Sequence, residues 1–172
     1  SISLSFDPEG NPAIVYCIPS QPGWQQKCAV YDGETWQIQI VDSYKESAGA
    51  IFFGGPGNSI SHASNGQPAI AYVRADPEVE NQDQNELAFA TYDPFNDEWV
   101  ITTVDGNHSL PSLGQHSSIS HGPNGYPAIS YTLDILGSTE ARVKYAEFDG
   151  TTWTAITLPQ TFSFTGSRPS LQ

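Results

Sequence analysis

Pro12-Ala13-Ile14-Val15-Tyr16 returns almost unchanged as Pro68-Ala69-Ile70-Ala71-Tyr72 and again as Pro127-Ala128-Ile129-Ser130-Tyr131. Outward from this stretch the agreement continues. An aromatic-Asp pair follows each copy (Tyr31-Asp32, Tyr92-Asp93, Phe148-Asp149), then a tryptophan (Trp36, Trp99, Trp153). A branched apolar residue stands five positions beyond each tryptophan (Val41, Val104, Leu158). Glycines four residues ahead of a serine open the next copy: Gly55 before Ser59, Gly114 before Ser118, Gly166 before Ser170. A repeat on the order of 50 to 60 residues is the signature of a solenoid, propeller or array.

Each copy divides into four short runs. The first is Ser3–Phe6, Ser59–His62 and Ser118–His121, and the second Ala13–Cys17, Ala69–Val73 and Ala128–Thr132. The third is Lys27–Tyr31, Leu87–Tyr92 and Val143–Phe148, and the fourth Trp36–Val41, Trp99–Val104 and Trp153–Leu158. Alternating apolar residues rich in Ile, Val and Thr suit strands. Asn65-Gly66 and Asn124-Gly125, between the first and second runs, predict tight hairpins with positive φ at both central residues. No stretch has a sustained 3.6-residue apolar period, so essentially no helix is expected.

The predicted fold is therefore all-β: a β-propeller of four-stranded antiparallel meander blades, spanning 3–58, 59–117 and 118–169, with 170–172 starting a fourth unit. Serines on the first strand suit the crowded axis, while tyrosines and tryptophans fill the wider space between outer parts of adjacent blades. Closed propellers have four to eight blades. Three are expected to be completed as part of a longer propeller or by two copies forming a six-bladed homodimer.

The formal charge of −13, with only six lysines and arginines, disfavours nucleic acid and anionic membrane surfaces as partners. No run of 18 apolar residues is present, so no membrane insertion is expected. The only cysteines, Cys17 and Cys28, fall on neighbouring predicted strands. A cross-strand disulfide forms there if the Cα atoms lie within about 7 Å; otherwise both are buried thiols. Low lysine and abundant Ser, Thr, Asn and Gln point to a secreted protein.

Asp32-Gly33-Glu34-Thr35-Trp36 and Asp149-Gly150-Thr151-Thr152-Trp153 lie between the third and fourth runs. In that position they resemble the Asp-box of secreted bacterial β-propellers of the BNR/Asp-box, sialidase-like superfamily. The box here is one residue short between Asp and Gly, and the middle copy reads Asp93-Pro94-Phe95-Asn96-Asp97-Glu98-Trp99. The resemblance implies a propeller fold and carries no catalytic residues with it.

Direction reverses at every strand, so the long second-to-third and unit-to-unit connections share one end, opposite the tight hairpins. Binding residues favour loops held by a rigid scaffold. At that end Trp24, Tyr44, Asn58, His116, Ser117 and Arg168 are the candidate ligand-binding residues, with the three arginines Arg74, Arg142 and Arg168 nearby. His62 and His121 end corresponding first strands, where two imidazoles either hold a metal in the channel or bond a neighbouring group; no metal is expected. No nucleophile elbow, zinc-spaced His/Cys set or phosphate-cradling glycine loop is present, so no cofactor and no catalytic residue is assigned. The expected function is non-catalytic extracellular binding of a glycan or a protein partner. The alternatives are part of a propeller sialidase-like hydrolase or polysaccharide lyase, and a self-assembling structural repeat.

Overall fold

The computed structural model describes residues 1–21, 23–45, 57–75, 85–106, 113–134 and 140–163. They form twelve strands in three four-stranded antiparallel sheets, with no helix. The first blade holds β1 (Ile2–Phe6), β2 (Pro12–Ser20), β3 (Gly23–Tyr31) and β4 (Trp36–Lys45). The second holds β5 (Asn58–His62), β6 (Pro68–Ala75), β7 (Asn85–Asp93) and β8 (Glu98–Gly106). The third holds β9 (Leu113–His121), β10 (Pro127–Asp134), β11 (Glu140–Phe148) and β12 (Trp153–Ser163). Each sheet is a meander paired in chain order, as the repeat requires. The strands run past the predicted ends, most of all toward the long connections.

Side chains alternate across each strand, so every blade has two faces. The blades stack face on face, with β1 against β5 and β5 against β9. Between the first two lies a core of Ala13, Val15, Cys28 and Val41 from one blade and Ile60, Ile70, Tyr72 and Ala90 from the next. Between the second and third, Ala69, Ala71, Leu87 and Val104 meet Ile119, Ile129, Tyr131 and Ala146. Tyr72 and Tyr131 are wholly buried, and Trp99 and Trp153 pack at the margins of these cores. Trp36, the same residue in the first blade, lies on an outward face and stays 44% exposed.

The hairpins differ from the expected type. In each first-to-second turn the glycine alone has positive φ: Gly10 at 90°, Gly66 at 85° and Gly125 at 80°. Gly10 N donates to Asp7 O (3.0 Å) and Asp7 N to Asn11 O (2.9 Å), and the other two turns repeat this pair. This is a type I turn closed by a left-handed residue, which places Pro8 and Pro123 where fixed φ suits position i+1.

The Asp-Gly turns between third and fourth strands are tied by their aspartates. Asp32 Oδ1 accepts from the backbone N–H groups of Glu34 (2.9 Å) and Thr35 (2.7 Å), and Asp149 Oδ1 does the same for Thr151 and Thr152. The backbone bonds from Thr35 and Glu34 hold the Asp32 carboxyl down at about 2. In these turns the motif serves structure.

The disulfide is absent. Cys17 lies opposite Gln26 and Cys28 opposite Val15, so the cysteines are staggered by one pair step along β2 and β3. Such diagonal neighbours sit about 7–8 Å apart, beyond comfortable bridging. Both thiols are free, and burial raises that of Cys28 to about 12.

Candidate functional site between the first two blades

A bulge decides where the polar site forms. Along β3 and β4, Lys27 pairs with Ile40 but Gln26 pairs with Asp42, so Val41 is an extra residue. Two successive residues of β4 thereby reach the same face: Val41 enters the core and Asp42 follows it toward the second blade. The second blade repeats the device, with Ala88 paired to Thr103 and Leu87 to Asp105, leaving Val104 extra. Bulges re-aim side chains in this way.

At the long-connection end, the face of the first blade presents Trp24 and Tyr44 as a cross-strand pair, then Gln26 opposite Asp42. Facing them from the second blade are Tyr72 and the cross-strand pair Arg74–Glu86. Tyr72 stacks on Tyr44 with ring centroids 6.4 Å apart, and its hydroxyl donates to Asp42 Oδ2 (2.7 Å). Arg74 bridges two carboxylates: Nη1 donates to Asp42 Oδ2 (3.2 Å) and Nε to Glu86 Oε1 (2.5 Å). Thr103 Oγ1 donates to Glu86 Oε2 (3.1 Å). Cys17 Sγ lies 3.4 Å from the Tyr44 hydroxyl.

Burial, and then the charge of Asp42, push the Tyr72 hydroxyl above its ordinary range, so it stays protonated and donates. Burial alone would lower the Arg74 guanidinium; the Glu86 hydrogen bond and the surrounding charges outweigh it and raise it. The cluster thus holds one cation between two carboxylates. Two further groups are buried without a partner, Trp24 Nε1 and Gln26 Oε1, on residues paired across the strands with Tyr44 and Asp42; the Gln26 Nε2 donates to Tyr16 O (3.2 Å). An unpaired buried donor and an unpaired buried acceptor cost about 1–3 kcal/mol each until something bonds them. A polyhydroxylated ligand bonds both kinds of group.

The structure brings together two of the sequence-predicted residues, Trp24 and Tyr44. Trp24 is half-buried. Asn58 is 5% exposed and serves the axis: its backbone N–H donates to Ser1 Oγ (3.4 Å) and its Nδ2 to Ser1 O (3.0 Å). Ser117 Oγ donates to Ala71 O (3.4 Å), likewise tying one blade to the next. His116 sits at positive φ (54°) in the irregular stretch of β9, away from the cleft. Arg168, and most of the loop positions around Phe52, Phe53 and the acidic run from Asp76 to Asp83, lie outside the described residues. Sequence reasoning missed Asp42, Tyr72 and Gln26, and it placed Arg74 and Glu86 at the right end without partners. One signal was present: Asp42 and Asp105 each stand six residues after a tryptophan.

The axial histidines bond serines of the preceding blade. His62 Nδ1 lies 3.0 Å from Ser5 Oγ, and His121 Nδ1 2.7 Å from Ser61 Oγ. Among the described residues no group of three or more His, Cys, Asp or Glu is gathered to hold a metal. On the outer rim an open cavity of about 440 Å³ is lined in part by Gln39, Tyr92, Asp97 and Trp99. Its polar groups already satisfy one another: Trp99 Nε1 donates to Gln39 Oε1 (3.1 Å), and the Tyr92 hydroxyl donates to Asp97. The inter-blade cleft, with its orphaned groups, is the stronger candidate.

No family model matches the chain, and no curated protein matches it in sequence. Among solved structures it is similar to a fucose lectin from Kordia zhangzhouensis, solved in complex with methyl-fucoside. The likeness has a TM-score of 0.55 at 14% identity and covers 94% of this chain and 100% of the lectin chain. What the two share is a fold of propeller-like, four-stranded antiparallel β-blades.

Proposed function

We propose that this protein is a non-catalytic lectin that binds a neutral sugar outside the cell, in the cleft between its first two blades. The observation that carries the reading is the Asp42–Arg74–Glu86 chain beside the unpartnered Trp24 Nε1 and Gln26 Oε1. Sugars present adjacent hydroxyls that donate to carboxylates and accept from guanidinium and indole N–H groups, while their C–H faces lie on aromatic rings. Trp24 and Tyr44 offer such rings. Two carboxylates against one cation, on a chain of charge −13, repel an anionic sugar such as a sialic acid or uronate. Both carboxylates are ion-paired to Arg74, so neither is set up as the protonated acid that glycoside cleavage needs. The fold likeness to a lectin supports a carbohydrate ligand.

The ring is closed, in this reading, by a second copy. The outward face of the first blade exposes Leu4 (53%), Phe6 (57%) and Ile38 (61%), whereas Ile60 and Ile119, the counterparts of Leu4, are 6% exposed. The outward face of the third blade exposes Ile156 and Leu158. These are the two surfaces that meet at each internal boundary, so two chains pair head to tail at both ends and close at six blades.

A glycan array carrying neutral and acidic sugars tests the function. Binding to neutral sugars without release of reducing sugar is expected. Preference for sialylated or uronate glycans, or turnover of any of them, would refute it.

A further inference from the structure

We propose that only the first inter-blade cleft binds sugar, so each chain takes a single ligand although the repeat provides an equivalent cleft at every boundary. The inference rests on the lectin reading and fixes its valency.

Both internal boundaries share a clamp. Asp105 of the second blade accepts from the Tyr131 hydroxyl (2.5 Å) as Asp42 accepts from Tyr72, and a cation from the next blade joins it. At the second boundary that cation is Lys144, which also lies over the Tyr131 ring, 5.7 Å from its centroid. Here the resemblance ends. The register of β10 and β11 puts Leu133 and Arg142 where the second blade has Arg74 and Glu86. Leu87 replaces Gln26, and Asn85 replaces Trp24.

Each change removes something a sugar needs. Leu133 cannot donate. An arginine at 142 takes away the second carboxylate acceptor and is exposed. Lys144 has a single charged head already on Asp105, whereas the Arg74 guanidinium has five N–H donors and uses two on carboxylates. Asn85 supplies no ring face. Among the described residues the second cleft pairs one carboxylate with one cation, whereas the first sets one cation between two carboxylates beside Trp24 and Tyr44. Among the described residues, the boundary between copies lacks the same set. Ile18 and Gln25 stand in the Arg74 and Glu86 places of the first blade, and Pro159 stands six residues after Trp153, where an aspartate would be.

Titration calorimetry of the whole chain with methyl-fucoside, and with the strongest neutral sugar from the array, decides the matter. One ligand per chain is expected. The double variant R74Q/E86Q, which removes the cation together with the more buried of its two carboxylates, is expected to weaken binding at least tenfold. Lys144→Gln, in the second cleft, is expected to leave affinity within twofold. Two or three ligands per chain, or R74Q/E86Q retaining a fraction of the sites at full affinity, would overturn single occupancy while leaving the lectin reading intact. No binding by any neutral sugar would overturn both.

Discussion

The hydroxyl of Tyr72 in the second blade donates to Asp42 Oδ2 of the first at 2.7 Å, at the edge of the apolar core between the two blades. Tyr131 repeats the bond to Asp105 at the next boundary. Hydrogen bonds to a charged group contribute about 1.5–3 kcal/mol. Tyr72→Phe and Tyr131→Phe are therefore each expected to lower unfolding free energy by about 2 kcal/mol in urea titration, with little change in the slope. Unshifted midpoints would show that these bonds are dispensable.

Arg74 stands between two carboxylates, one of them on a 5% exposed side chain. Removing one partner of a buried pair strands the other's charge, at about 3–5 kcal/mol. Arg74→Gln is expected to cost that much. R74Q/E86Q is expected to cost less than Arg74→Gln alone, because Glu86 is no longer buried without its cation. A double variant less stable than the single one would contradict the coupling.

Gly33 and Gly150 occupy the same turn in the first and third blades at φ 97° and 98°, so a side chain meets the same backbone strain at both. Their surroundings differ. A Cβ on Gly33 meets nothing within 4 Å, while one on Gly150 falls 2.6 Å from the Tyr126 hydroxyl oxygen. Gly33→Ala is expected to cost about 1–2 kcal/mol from left-handed strain alone. Gly150→Ala should cost more, and the Tyr126→Ala background should remove the excess. Equal losses in the two single variants would contradict the contact.

Burial lowers the imidazoles of both His62 and His121 below the ordinary 6.5, and in His121 the neighbouring His62 adds to it. The folded state thus favours neutral histidine more than the unfolded chain does. Stability from this source is fully present above pH 6.5 and is lost as pH falls below it, through the lowered folded values. Thermal unfolding between pH 7.5 and 5 should show this decline, and a His62→Gln/His121→Gln variant should show a shallower one. Identical slopes would remove the histidines from the account.

The outward face of the first blade makes the pairing of copies testable. Sedimentation should give about 37 kDa, twice the 18.6 kDa chain. Ile38→Lys, on a side chain 61% exposed, should return it to the mass of one chain without altering its fold. A wild-type chain that sediments as 18.6 kDa at high micromolar concentration would count against the six-bladed pair.

The architecture was legible because it is local and written three times. Strand patterns, turn glycines and tryptophan spacing recur within each unit, and every sheet pairs in chain order. The cleft was less legible. Its groups come from separate strands of two blades, and Asp42 reaches it only through the bulge at Val41, which strict alternation hides. By alternation, Asp42 would face away from Val41. Trp24 lies on a strand, Gly23 to Tyr31, and pairs across it with Tyr44. Asn58 and Ser117, candidates for the ligand, bond backbone across the blade boundaries.

The most direct test of the central claim is the indole N–H region of a two-dimensional NMR spectrum, which holds one signal for each of the four tryptophans. Trp24 Nε1 is buried without a partner in the cleft, and Trp99 Nε1 is already bonded to Gln39. On saturation with methyl-fucoside or the best neutral sugar, the Trp24 indole signal is expected to shift while those of Trp36, Trp99 and Trp153 hold still. A ligand that binds and leaves Trp24 unmoved while shifting another indole would place the sugar elsewhere and contradict the site.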